Sequence, residues 1–136
     1  MALYRSIYLS FWKDTKVMDE FTAEDKYFFL YILTNIHTNL CGCYEISIKQ
    51  MSIEMGYSIE QIKNILDKFI STYKMVDYDF DRKEILVINW HKYNWTSSPK
   101  IRPALQKEIS EVKNDRFRNY LKELLGEDSD PSKKKI

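Results

Sequence analysis

One continuous stretch, Gly42 to Asn89, restricts this chain more than any other. Its hydrophobic period changes repeatedly over a short distance. Cys43–Ile48 is short and partly alternating, as a strand is. Ser47 can then cap a helix over Ile48–Met55, and Gly56 stands where a left-handed residue would end it. Ser58 follows at once, with Gln61 at capping-box spacing. From there to Thr72, Ile59, Ile62, Ile65, Leu66 and Phe69 recur at helical intervals and make one apolar stripe. The runs Met75–Phe80 and Glu84–Asn89 close the stretch as a hairpin. Met75-Val76-Asp77-Tyr78 is expected to pair with Ile85-Leu86-Val87-Ile88 across a tip at Asp79 to Glu84.

Strand, short helix, glycine turn, longer capped helix and hairpin, in that order, are the plan of a winged helix-turn-helix. The expected fold class is therefore α+β, mainly α, with a β-hairpin wing and an extra C-terminal helix. Before this unit, Tyr4, Ile7, Tyr8, Leu9, Phe11 and Trp12 suggest an ordered arm anchored by Trp12, with turns at Lys13-Asp14 and Asp19-Glu20. Thr22 can accept from the backbone of Asp25, opening a helix from Ala23 to about His37. Its residues Tyr27, Phe28, Leu30, Tyr31, Ile32, Leu33 and Ile36 leave little polar face, so burial on more than one side, or an oligomer interface, is expected.

After the hairpin, Trp90 to Trp95 reads as an aromatic-polar strand end packed on the arm and first helix, rather than a platform for stacking single-stranded bases. Thr96 to Lys100 is a linker. Pro103 starts a helix running from Ala104 to Leu125, stopped by Gly126. These features divide the chain into a domain with its N-terminal arm (residues 1–98), a basic amphipathic helix (99–126) and a disordered polar tail (127–136).

The charge is unevenly placed. Residues 1–98 carry 11 Lys and Arg against 13 Asp and Glu, a balance of −2, whereas residues 99–136 carry 10 against 7, a balance of +3. Attraction to phosphate is therefore expected mainly from the C-terminal segment, through Lys107, Lys113 and Arg116 among others. On the helix beginning at Ser58, Lys63 and Asn64 are the side chains suited to base edges, and Lys68 to phosphate. Arg82 and Lys83 at the hairpin tip would reach the neighbouring backbone or minor groove. The plainer alternative for this helix is a solvated charged face, to which Glu60 and Asp67 belong. Tyr8, Trp12, Tyr27, Tyr31, Phe117 and Tyr120 are expected at an oligomer interface.

His37, Cys41, Cys43 and His91 form the one cluster resembling metal ligands, but Cys-x-Cys is tighter than the usual zinc spacing. The cysteines are read as small buried residues and free thiols, and no metal or cofactor is expected. The three glycines are too far apart for a phosphate-cradling loop, and no serine or carboxylate arrangement points to catalysis. A binding protein in the cytoplasm is expected, with no small-molecule substrate, no membrane association and no targeting segment.

Four separated segments, Phe11-Trp12-Lys13-Asp14, Leu30-Tyr31-Ile32-Leu33-Thr34-Asn35, Thr38-Asn39-Leu40-Cys41-Gly42-Cys43-Tyr44 and Ile88-Asn89-Trp90-His91-Lys92-Tyr93-Asn94, occur in this order. Together they resemble the N-terminal winged-helix domain of phage replication-initiation proteins of the DnaD-like kind, over about residues 1–100. The resemblance implies DNA binding at an origin, self-association, and recruitment of a helicase loader or helicase. In the DnaD-like branch it implies a domain that is mainly an oligomerisation scaffold, with DNA binding depending on a second, C-terminal domain. The two readings that follow are a DNA-binding, self-associating initiator module and a protein–protein scaffold with little DNA contact. A winged-helix repressor is the third.

Overall fold

Local hydrogen bonds fix most of the helix starts. In the computed structural model, which describes residues 2–95 and 99–129, a 3-10 turn at Leu9–Lys13 leads into α1 (Thr15–Asp19). The Asp14 carboxylate caps α1 by accepting from the backbone of Lys16 and Val17. Helix α2 (Ala23–Thr34) opens with a capping box between Thr22 and Asp25. After β1 (Cys43–Glu45), α3 (Ile48–Met55) and α4 (Ile59–Ser71) open with boxes Ser47/Gln50 and Ser58/Gln61. Each box satisfies two backbone donors that a helix start otherwise leaves open. Gly56 ends α3 at φ +83°, a conformation that disfavours a side chain. The starts of α2, α3 and α4 and the stop at Gly56 fall where the sequence places them, whereas the 3-10 turn and α1 stand where it gives only an arm with turns at Lys13-Asp14 and Asp19-Glu20.

Strands β2 (Val76–Asp79) and β3 (Glu84–Val87) form the hairpin, and β1 pairs with the far side of β3, giving an antiparallel sheet of order β1-β3-β2. Tyr78 faces Ile85 and Asp77 faces Leu86, the expected register. Three further helices follow: α5 (Trp90–Asn94), α6 (Arg102–Ser110) and α7 (Asp115–Ser129). The chain is thus α+β and mainly helical. Among the described residues no helix is long and apolar enough to cross a membrane.

The central strand β3 is buried along its whole length because both faces of the sheet are covered. On one face Tyr44, Val76, Tyr78, Ile85 and Val87 meet Phe28 and Ile32 of α2, Met51 and Met55 of α3, and Ile62, Leu66 and Phe69 of α4. On the other, Cys43 and Leu86, with Cys41, meet Leu105 and Ile109 of α6 and Phe117, Leu121 and Leu125 of α7. Alternation along each strand supplies both cores at once.

Several expectations are corrected. The C-terminal segment is not one helix from Ala104 to Leu125 but two, broken at residues 111–114 and folded back on the sheet. The break is built by Glu84, buried at 2% exposure, whose carboxylate accepts from the backbone N–H of Lys113 and Asn114 at 2.9 Å each. The Asn114 side chain then accepts from Phe117 N–H and caps α7. Gly126 does not stop α7, which continues to Ser129. The rest of the expected tail (130–136) and Thr96–Ser98 of the expected linker lie outside the described residues. Phe117, expected at an oligomer interface, is buried inside its own chain.

Helix α2 ends at Thr34, not near His37, because the Asn35 side chain turns back to donate to Tyr31 O and Tyr44 Oη and to accept from His37 N–H. Ile36 is left exposed. Ile59, first residue of α4, stands outside the buried stripe. Trp12 is 54% exposed, and the arm is anchored instead by Val17 and Phe21, which are buried, and by Phe11 stacked on Phe29.

Trp90 starts a short helix rather than ending a strand. Its ring is almost fully buried, and its indole N–H donates to Leu40 O. It lies against Gly42, where an added Cβ would come 2.3 Å from the ring and φ is already +83°. Gly42→Ala is therefore expected to lower the unfolding free energy by about 3 kcal/mol through overpacking and backbone strain. At Gly56 an added Cβ meets nothing within 4 Å. Gly56→Ala should then cost only about 1 kcal/mol, from the left-handed backbone alone. Urea titration of both variants checks the difference.

Candidate nucleic-acid interface

The side of α4 opposite its buried stripe is the surface the sequence marks for base contact. Lys63 and Asn64 are exposed there, and their side chains make no hydrogen bond or ion pair with any described residue. Glu60, Gln61, Asp67 and Ser71 share the exposed side of this helix, so its charge is mixed.

Lys68, expected to take phosphate, is turned inward. Its Nζ lies 3.0 Å from the carboxylate of Asp25, which has no exposed surface. Tyr73 Oη also donates to Asp25 at 2.7 Å, as does the Thr22 N–H at 3.0 Å. Burial alone would raise the Asp25 carboxyl. The Thr22, Tyr73 and Lys68 hydrogen bonds and the ammonium charge outweigh it and hold the group below its ordinary value. The same carboxylate closes the α2 capping box, so one group joins the start of α2 to the end of α4 and to Tyr73 beyond it.

Three more of the expected cations are committed in the same way. Across one rung of the sheet, Glu45 faces Glu84 and Glu84 faces Asp79. Like charges directly opposite one another are destabilising unless they are satisfied. Lys113 pairs with Glu45, the 113–114 backbone occupies Glu84, and Asp79 receives Arg82 at 3.2 Å and Asn114 at 2.8 Å. Asp79 also accepts from the Asp81 and Arg82 N–H groups. The Arg82 backbone bond, the Asn114 amide and the Arg82 guanidinium bring its carboxyl down to about 2. Arg116 pairs with Asp77 on the same side of β2 and lies over the Phe117 ring. Lys83 and Lys107 remain exposed and without an ion pair to any described residue.

Of the aromatic residues expected at an interface, Tyr8, Trp12 and Tyr27 are exposed. Tyr31 is half-buried and donates to Glu54, which also meets His37 at 2.8 Å. Tyr120 donates to Ile88 O, tying α7 to the end of the hairpin. Cys41 and Cys43 are buried free thiols, and burial pushes the Cys41 thiol up to about 12. Among the described residues no three His, Cys, Asp or Glu side chains converge as metal ligands.

The four segments of the family resemblance meet in one place. Thr38 accepts from Arg5, whose guanidinium lies over Trp90, Trp90 reaches Leu40 and packs on Gly42, and Tyr93 meets Tyr8 edge to face. A cavity of about 150 Å³ opens between the arm and α5, lined by Tyr8, Phe11, Leu33, Trp90 and Tyr93 among others. These residues build the scaffold and do not lie on the outer side of α4. Comparison with known proteins adds nothing to this, since no family model, no curated protein and no solved structure matches the chain.

The Asp25 and Glu84 networks escape sequence reading because each joins residues far apart in the chain. The one local clue to the second is Asn114-Asp115, a cap followed by an acidic first turn. Lys68→Ala should destabilise the fold by about 2 kcal/mol, since it strips a charged partner from a buried carboxylate. Asp25, Glu54 and Asp79 all sit below their ordinary values of 3.8, 4.5 and 3.8, so the unfolded chain binds more protons. Their stabilisation is complete above those values and is lost as pH falls through the folded ones. Unfolding free energy should decline from about pH 4.5 to about pH 2, measured by denaturation at each pH, and Asp79→Asn should flatten the lower part.

Proposed function

We propose that this chain is a winged-helix module of a phage or prophage DNA replication initiator, one that binds DNA and self-associates to help assemble the replisome at an origin. It works by binding, without catalysis and without a cofactor. The observation that carries the reading is the α3–Gly56–α4 unit. Two helices joined by a left-handed glycine are packed on a sheet of order β1-β3-β2, with Lys63 and Asn64 outermost on α4. In such a unit the second helix enters the major groove and the β2–β3 hairpin is the wing. The resemblance of residues 1–100 to DnaD-like initiators supports the origin role and a helicase loader or helicase as partner.

The expected phosphate contacts change. Lys68, Arg82, Lys113 and Arg116 are each held by a carboxylate of the same chain. Lys63, Lys83 and Lys107 carry the interaction instead, which makes it modest in strength and in salt dependence. A second reading, a self-associating scaffold with little DNA contact, is favoured by the apolar side chains on the arm. Leu3, Tyr4, Tyr8, Leu9 and Trp12 are all more than half exposed. A repressor built on the same fold would share the α4 docking and differ in its cellular sites.

Gel-shift titration of duplex DNA with Lys63→Ala/Asn64→Ala should show affinity reduced about tenfold, as expected for losing base-edge contacts. Unchanged affinity would exclude α4 from the groove. Light scattering should give a mass above that of one chain, and a strict monomer at high concentration would remove self-association.

A further inference from the structure

Phe80 stands out among the apolar residues because of where it is held. It follows β2 at the wing tip and is 58% exposed. Its ring meets Tyr78 edge to face with centroids 5.0 Å apart. Tyr78 is itself buried, and its hydroxyl donates to Ile46 O at 2.6 Å. The ring therefore rests on a fixed support, a tyrosine that belongs to the core shared with α3 and α4.

The turn beneath it is equally constrained. Asp79 accepts from two backbone N–H groups of the turn, and Asn114 holds Asp79 from the α7 side. Lys83 takes φ +55° to complete the turn, and its carbonyl accepts from Ile46 N–H. An apolar ring is thus presented at low entropic cost beside Lys83, exposed and without an ion pair to any described residue, while Arg82 is engaged by Asp79. Asp81, exposed in the same turn, opposes phosphate and keeps the electrostatic share small. The ring, not the charge, is the main contact the tip can offer.

We infer that the wing tip is a contact for unpaired bases, in which the Phe80 ring stacks on a base of locally opened DNA while Lys83 lies along the adjoining backbone. Aromatic stacking on an exposed base tolerates any sequence and needs little charge. A stacked duplex offers no free base face, so the tip distinguishes opened from closed DNA. This rests on the DNA-binding reading above and adds to it a preference for DNA whose strands have separated. The six-residue strip Trp90–Trp95, read from the sequence as packing rather than a stacking platform, is not the site, because Trp90 is buried against Gly42.

The test compares the whole chain on two DNAs of equal length, a perfect duplex and the same duplex with a central unpaired bubble carrying 2-aminopurine. Wild-type protein should bind the bubble about tenfold more tightly than the duplex and alter the 2-aminopurine fluorescence through stacking. Phe80→Ala should abolish both the preference and the fluorescence change, keep its duplex affinity, and retain the wild-type circular dichroism. Phe80→Trp should restore the preference. Duplex binding without a bubble preference, or a preference that survives Phe80→Ala, would overturn the inference and leave the docking of α4 standing. An equal loss on both DNAs, or a loss of self-association instead, would also overturn it and assign the ring to another contact. No binding to either DNA would remove the DNA-binding reading and this inference together.

Discussion

Much of this structure depends on the approach of the Trp90 ring to the Gly42 backbone. The distance admits no side chain at Gly42, and the left-handed backbone there turns the chain into β1. Gly42 O accepts from Val87 N–H, so the same residue sets β1 beside β3. Trp90 reaches back to Leu40, and Arg5 of the arm lies over its ring. Arm, loop, sheet and α5 are therefore joined at one indole. A large aromatic group buried with its N–H satisfied contributes both apolar area and a fixed direction. Two of the four segments singled out in the sequence, 38–44 and 88–94, meet at this indole, and their role in the chain is one of packing.

The sheet built on this contact is covered on both faces, and that decides the fate of the charges. The carboxylates of Glu45, Glu84 and Asp79 lie side by side across one rung. They are tolerable because the α6–α7 connection brings Lys113, two backbone N–H groups and Asn114 to them. Asp25 makes the same kind of demand on Lys68 inside the other core. Cations that look available in the sequence are thereby used to satisfy acids. An account of binding based on the +3 balance of residues 99–136 overstates the charge that a nucleic acid would meet. Of the cations the sequence marks for DNA, those left outward without an ion pair to a described residue are Lys63 on α4, Lys83 at the hairpin tip and Lys107 on α6.

The sequence was most informative where structure is decided by neighbours a few residues apart. Thr22/Asp25 and Ser58/Gln61 are visible as helix starts because a capping box closes within one turn. Gly56 is visible as a stop because only its own backbone angle matters. The hairpin register follows from alternation. The exposure of Lys63 and Asn64 on α4 is legible for the same reason, since they lie opposite the stripe of Ile62, Ile65, Leu66 and Phe69. The exposure of Phe80 is not legible in the sequence, because an aromatic at the end of an alternating strand gives no sign of whether a core continues beyond it.

The order of elements from β1 to β3, the three capping boxes and the outward side of α4 were determined by the sequence itself, because each rests on contacts within one element or its immediate turn. Tertiary structure alone decided that the C-terminal segment breaks at residues 111–114 and covers the sheet, that Trp90 enters the core as a helix start, and that Lys68, Lys113 and Arg116 are spent on internal acids. The physical reason is separation along the chain. Glu84 and Asn114, or Asp25 and Lys68, lie 30 and 43 residues apart, and no local period records a partner at that distance.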